Sequence, residues 1–380
     1  MIDFSLTEEQ QALVNMARRF AKERIMPVAA QADRDSVYPA GVFEAAWEAG
    51  LVNPTVPEAF GGLGLGELDN TLITEELAYG CTGIQTSITA NTLAATPVIL
   101  AGSDELKKKY LGMLTSEPVC ASYATSEPNA GSDVSAIECK FTKHGDDYVL
   151  NGSKAWITNA SRARWFVIFA TEDTALRHKG IAAFMVDAGA PGFEVGKHED
   201  KLGQRASDTC TLTLQDVKVH KSAMLAPPGA GFKLAMNTFN QTRPDIGASA
   251  VGLMRRCLDE SAAYAKERKT FGVPIAQHQA VQFMLAEMAI RIEATQLMVR
   301  KAAWALDSHQ ASPLSSACAK AFGGDAAMTS AIDAVQIFGG NGFVKDYPVE
   351  KLMRDAKILQ IYEGTSQIQR IVIAKSILGG

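Results

Sequence analysis

Paired cysteines, long apolar runs and an excess of charge are all missing from this sequence. The six cysteines, at 81, 120, 139, 210, 257 and 318, form no C-x-x-C pair and join no His/Cys cluster with zinc spacing. Nothing in that spacing suggests a disulfide framework, and a reducing compartment is expected. No apolar run is long enough to span a bilayer, so no membrane span is expected. Met1-Ile2-Asp3-Phe4 has neither the charged nor the apolar region of a secretory signal, and it is not an Arg-rich transit peptide. The expected location is a bacterial cytoplasm, or the mitochondrial matrix for a processed eukaryotic chain. A net charge of −5 argues against a nucleic acid held by phosphate contacts. Local basic patches such as Lys107-Lys108-Lys109 read as a solvated helix face. There is no internal repeat and no low-complexity tract.

What is present is ordinary globular composition, 47% apolar and 21% charged over 380 residues, enough for two or three domains with a sizeable core. The first third has helical periodicity. Thr7 and Gln10 form a T-x-x-Q capping box, and Leu13, Ala17, Phe20 and Ile25 recur on one face. Helical pattern continues through 69–79 and 106–114. The run Gly61-Gly62-Leu63-Gly64-Leu65-Gly66 matches neither phosphate-loop pattern and reads as a connection. The middle third turns to short strands: apolar runs at 166–170 and 181–186, and alternation at Leu212, Leu214, Val217 and Val219 broken near Asp216. Asn151-Gly152 predicts a hairpin turn. Pro227-Pro228-Gly229 marks a junction, after which long amphipathic stretches run through 250–268 and 276–306. The expected class is α+β, with an N-terminal helical domain at 1–119, a middle β domain at 120–226 and a C-terminal helical bundle at 227–380.

Three segments, 125–133, Trp156-Ile157-Thr158 and 336–342, offer hydroxyls, backbone N–H groups and aromatics suited to a flat, phosphorylated ligand. As turns with a capping Ser or Thr they need no ligand at all. Near the C-terminus, Ser366 and Gln369 form another capping box, with Glu363 just before it in a Gly-containing turn. A carboxylate there is ordinarily helix-dipole compensation.

The order and separation of these segments change that reading. The chain resembles the acyl-CoA dehydrogenase family over nearly its whole length. It is most similar to the medium-chain members at 264–272 (YAKERKTFG), 336–343 (QIFGGNGF) and 347–369. The resemblance implies helical, β and four-helix domains in a homotetramer with FAD. It places Tyr123, Thr125, Ser126, Gly131, Ser132, Trp156, Ile157 and Thr158 around the flavin ring, with Thr365 and Gln367 on the same cofactor. Arg268, Thr270, Phe271, His278, Gln279, Gln336, Ile337, Gly339 and Gly340 would hold pyrophosphate and adenosine, partly across a subunit interface. Glu363 would be the base that takes the α proton of an acyl-CoA while hydride leaves the β carbon for the flavin. Electrons would then pass to electron-transfer flavoprotein, in fatty acid β-oxidation. Thr89, Ser132, Asn240, Arg243, Tyr362 and Gly364 are the expected substrate contacts.

Three positions depart from the family pattern: Asn129 replaces a Gly, Asn240 an Asp on the pantetheine arm, and Thr89 a Glu at the pocket floor. Some relatives carry the base at the position of Thr242, which has no carboxylate. An oxidase or reductase on the same fold, or a non-catalytic flavin or acyl-CoA binder, are the alternative functions.

Overall fold

In a computed structural model that describes residues 4–379, helix α1 (Glu8–Phe20) starts on the expected capping box. Thr7 Oγ1 accepts from the Gln10 N–H, and the Gln10 side chain accepts from the Thr7 N–H, both at 3.2 Å. A wider turn at Ala21–Ile25 leads into α2 (Met26–Asp35), then α3 (Val42–Glu48), α4 (Glu67–Gly80), α5 (Thr82–Ala101) and α6 (Asp104–Ser116). The Gly61–Gly66 run is a connecting loop into α4.

Eight strands follow: β1 (Cys120–Ala124), β2 (Lys140–His144), β3 (Asp147–Thr158), β4 (Ala163–Thr171), β5 (Ile181–Asp187), β6 (Phe193–His198), β7 (Thr209–His220) and β8 (Met224–Ala226). They make one sheet in the order β6-β7-β3-β2-β4-β5-β8, with β1 parallel to β4. Strand β4 explains why its sequence is an unbroken apolar run. Trp165, Val167 and Phe169 face one core with α5, α6 and Leu234, whereas Phe166, Ile168 and Ala170 face another with Phe184, Leu212 and Val217. A strand buried on both faces shows no polar alternation. Strand β7 is covered on one face only, so it alternates, and Asp216 at φ 54° breaks it as expected.

The Asn151-Gly152 hairpin is a correction. Those residues lie inside β3, at a bulge where Gly152 passes so close to Cys139 that an added Cβ would come within 2.6 Å of its Cα. The turn is at Gly145-Asp146, between the paired residues His144 and Asp147. Asn-Gly suits a bulge as well as a two-residue turn, because both require glycine's backbone freedom.

The last third is built on α7 (Gly231–Glu267), followed by a small hairpin of β9 (Lys269–Thr270) and β10 (Val273–Pro274), then α8 (Gln279–Asp307), α9 (Pro313–Phe338), α10 (Val349–Ala356) and α11 (Ser366–Leu378). Helix α7 starts nineteen residues before the amphipathic stretch that predicts it, since 250 − 231 = 19. Its buried residues Val251, Leu253, Met254 and Cys257 pack with Met288 and Ile292 of α8 and Ala327, Ala331 and Ala334 of α9. The small side chains bring helices close: a Cβ on Gly252 would run into the carbonyl of Glu75 on α4. This clamp sets the α4–α7 spacing. No described helix is long and apolar enough to cross a membrane.

Candidate active site

A cavity of 790 Å³ opens where the sheet meets the helices. Its walls come from β1 and the loop after it, the end of β3, α5, the first half of α7 and the turn before α11. Glu363 lies on that last turn at φ 53°, followed by Gly364 at φ 90°. A left-handed non-glycine residue costs of order 1–3 kcal/mol and persists only where its surroundings enforce it. Here they do. Gln369 Nε2 donates to the carbonyls of Glu363 (3.2 Å) and Gly364 (2.9 Å), and the buried Lys320 Nζ donates to Gly364 O at 2.7 Å. Thr365 caps α11, its Oγ1 accepting from the Ile368 N–H. That corrects the Ser366–Gln369 capping box by one residue: the Gln369 side chain is taken by the turn carbonyls and does not reach back to a cap.

The Glu363 carboxylate accepts a hydrogen bond from Thr242 Oγ1 at 2.8 Å. Burial pushes the carboxyl up to about 7; the Thr242 hydrogen bond and the charges of Arg243 and Lys320 act the other way. Lys320 is fully buried and pushed down by burial to about 8. Arg243, also lowered by burial, donates to Asn240 Oδ1 at 2.7 Å, so Asn240 keeps a local role without its family's charge.

The opposite wall is anchored by a fully buried ion pair. Lys154 Nζ sits 2.6 Å from Glu127 Oε1 and also donates to Thr125 O. This fixes the loop carrying Thr125 and Ser126. The hydroxyls of Tyr123 and Thr125 lie side by side, buried, with no other hydrogen-bond partner. Trp156 presents 62% of its surface at φ 64°. Orphaned buried hydroxyls beside an uncovered aromatic fit the polar edge of a flat heteroaromatic group.

Of the predicted site residues, the cavity collects Thr89, Tyr123, Thr125, Ser126, Gly131, Ser132, Trp156, Ile157, Thr158, Arg243, Tyr362, Glu363, Gly364 and Thr365. It does not collect Asn240, Arg268, Thr270, Phe271, His278, Gln279, Gln336, Ile337, Gly339, Gly340 or Gln367. Most of these gather elsewhere. Tyr264 stacks on Phe338 at 4.0 Å and accepts from Asn341, which brings the end of α7 to the end of α9. Thr270 pairs with His278 at 2.9 Å, and Phe271 is 96% exposed at φ 51°. Gln367 is exposed on the first turn of α11.

Sequence reasoning missed a second acidic group. Asp245 lines the cavity one helical turn beyond Thr242, and both its oxygens accept from Asn70 Nδ2 at 2.9 Å. The Glu67 carboxyl feels the Asp245 charge from the neighbouring helix α4. Both acids are raised well above their ordinary values, chiefly by burial. A carboxylate on a helix is usually solvated, and nothing local in the sequence marks these as buried.

Three family models match: Acyl-CoA dehydrogenase, N-terminal domain over 7–118, middle domain over 122–217 and C-terminal domain over 229–378. The probable medium-chain specific acyl-CoA dehydrogenase 2, mitochondrial, of Caenorhabditis briggsae is 47% identical over 100% of this chain and 92% of its own length. The butyryl-CoA dehydrogenase of Megasphaera elsdenii is 37% identical with a TM-score of 0.96, over 99% of this chain and 100% of that one. A chain solved in work on the electron transferring flavoprotein of Acidaminococcus fermentans is 40% identical, TM-score 0.97, over 100% of both.

Proposed function

The chain belongs to the acyl-CoA dehydrogenase family, FAD-dependent oxidoreductases, and we propose that it oxidises a short- to medium-chain acyl-CoA to the trans-2-enoyl-CoA with Glu363 as base. The carrying observation is the Glu363 carboxyl: half-buried on the cavity wall, held in a strained turn, and poised near neutrality. A base that must remove a weakly acidic α proton works best with a pKa near the working pH. Thr242 holds the carboxylate by one hydrogen bond and leaves its other oxygen for that proton. The Glu363 N–H is the proposed donor to the thioester oxygen, so the same turn stabilises the enolate charge. Arg243 keeps a positive charge beside it and orients the arm of the CoA through Asn240.

Bound FAD supplies the acceptor for the hydride leaving the β carbon. Within this chain Tyr123, Thr125, Ser126, Trp156 and Thr158 would hold its ring, with Thr365 and Gln367 beside it. Arg268, Thr270, Phe271, His278, Gln279 and Gln336–Gly340 stand apart from the cavity, so they suit the phosphates and adenosine of a cofactor shared with a second copy, as in a homotetramer. Electron-transfer flavoprotein is the proposed acceptor.

Anaerobic mixing with acyl-CoAs from short to long and branched tests the reading. Graded bleaching of the yellow protein by short to medium straight chains is expected, since each methylene contributes roughly 1–3 kcal/mol of discrimination. A colourless protein, or a flavin no acyl-CoA reduces, would overturn it. Rapid reoxidation by air in place of electron-transfer flavoprotein would point to an oxidase.

A further inference from the structure

The floor of the cavity is chemically odd for a hydrocarbon tail. Thr89 carries no charge where the family pattern has a Glu, yet acid reappears on the cavity wall from another helix, Asp245 on α7, with Glu67 of α4 bearing on it from outside the cavity. Asp245 is 6% exposed and lines the cavity. Behind it Asn70 is 1% exposed: its Nδ2 serves Asp245, and its Oδ1 has no hydrogen-bond partner. Ser249, one turn further along α7, donates to Gln85 Oε1 at 3.0 Å, and Gln85 donates to Thr89 at 2.8 Å. The charges that act on Glu67 are those of Asp245, Asp307 and Glu363, and the one that acts on Asp245 is that of Glu363, all acidic.

Resting on the function proposed above, we infer that the acyl group of the substrate ends in an N–H-bearing cation, an ammonium or a guanidinium, seated on the Asp245 carboxyl. A terminal methyl placed there would strip water from the Asp245 carboxyl and return no donor, a net cost. A cation with N–H groups gives the Asp245 carboxyl a donor and the neighbouring acids a counter-charge, in a charge-assisted hydrogen bond. A quaternary ammonium lacks those N–H donors, so it would leave the Asp245 carboxyl without a hydrogen bond from the substrate. Length follows from the helix. Asp245 is three residues past Thr242, so it lies about 4.5 Å along the axis from the group that holds Glu363. That spans a few carbon–carbon bonds of about 1.5 Å. The nitrogen therefore sits a few carbons beyond the α carbon. The reaction is unchanged: the α proton goes to Glu363, the β hydrogen leaves with its electron pair to FAD, and a carbon–carbon double bond forms. The cation takes no part in the electron count.

The test compares 5-aminopentanoyl-CoA, 4-guanidinobutanoyl-CoA and hexanoyl-CoA on the FAD-loaded enzyme, by anaerobic flavin bleaching and by equilibrium binding. At least one cationic thioester should exceed hexanoyl-CoA by about tenfold or more in kcat/KM. The two cationic arms tell ammonium from guanidinium. Asp245→Asn, nearly isosteric, should reduce that cationic-to-neutral ratio by about tenfold. The parent comparison stands by itself if the variant fails to fold. Equal or faster bleaching by hexanoyl-CoA overturns this inference and leaves the dehydrogenase reading intact. Bleaching neither by any of the three nor by any other straight acyl-CoA overturns both.

Discussion

Replacing Glu363 by Gln should inactivate the protein and, at alkaline pH, stabilise it. The carboxyl has an ordinary value of 4.5 and is pushed up to about 7 in the fold, chiefly by burial. A raised acid favours folding while protonated. Its contribution is complete below 4.5 and is lost as pH rises through about 7. At about 1.4 kcal/mol per pKa unit, the gap amounts to about 3 kcal/mol against the parent above pH 7. Gln is neutral at every pH, keeps an acceptor for Thr242 Oγ1, and keeps the backbone N–H. The variant should therefore be more stable than the parent at pH 8, by up to about 3 kcal/mol, with the difference nearly gone at pH 4.5. Its flavin reduction by acyl-CoA should fall by several orders of magnitude with binding largely intact, the pattern of an interaction made only in the transition state. Melting temperatures at the two pH values and anaerobic stopped-flow provide the readouts. If Glu363 merely compensated the α11 dipole, the variant would lose about 0.3–1 kcal/mol and turn over normally. A variant no more stable at pH 8, or one reducing flavin within a few-fold of the parent, would refute the reasoning.

Three further substitutions test the supporting residues. Thr242→Val removes the hydroxyl that holds the carboxylate at 2.8 Å and lowers its pKa. The pH at which kcat/KM reaches half its plateau, expected near neutrality and rising with pH in the parent, should move up; an unmoved profile would count against Glu363 as the titrating base. Arg268→Ala should weaken FAD retention by roughly 1.5–3 kcal/mol, the value of a charge-assisted hydrogen bond, and equilibrium dialysis showing parent-like affinity would remove Arg268 from the cofactor site. Gly252→Ala should lower the melting temperature sharply, because its Cβ meets the Glu75 carbonyl across the α4–α7 contact; an overpacking loss of about 1–3 kcal/mol is expected, and an unchanged melt would mean the helices part at no cost.

Local signals were read well where one short segment carries the whole cause. The Thr7 box needs only residues 7 and 10, and the break in β7 needs only Asp216. Asn151-Gly152 misled because a bulge and a hairpin turn make the same local demand, and only the partner strand decides between them. The Thr365 cap slipped by one residue for a related reason. Ser366 could serve as the cap, but its hydroxyl is bonded to Asp325 on α9, and Gln369 is claimed by the Glu363 turn. Side chains that the sequence offers to local bonds were taken by distant ones.

The same logic explains which half of the site was legible. The Glu363 turn is contiguous, so its pattern survives in the sequence as a motif. Its chemistry is not local: Thr242 lies 121 residues away, and Asn70 lies 175 residues from Asp245. The first half of α7 illustrates the physical difficulty. From Thr242 to Met254 every residue is buried, polar and apolar alike, so the segment has no wet face and no amphipathic period to detect. A Thr, an Arg and an Asp in such a stretch look like the solvated side of a helix until the sheet, α4 and the Glu363 turn close over them. Burial then inverts their meaning. The Thr becomes the holder of a base, and the Asp becomes an acid with no cation beside it, which is why the character of the substrate's far end becomes readable only after the helices are packed.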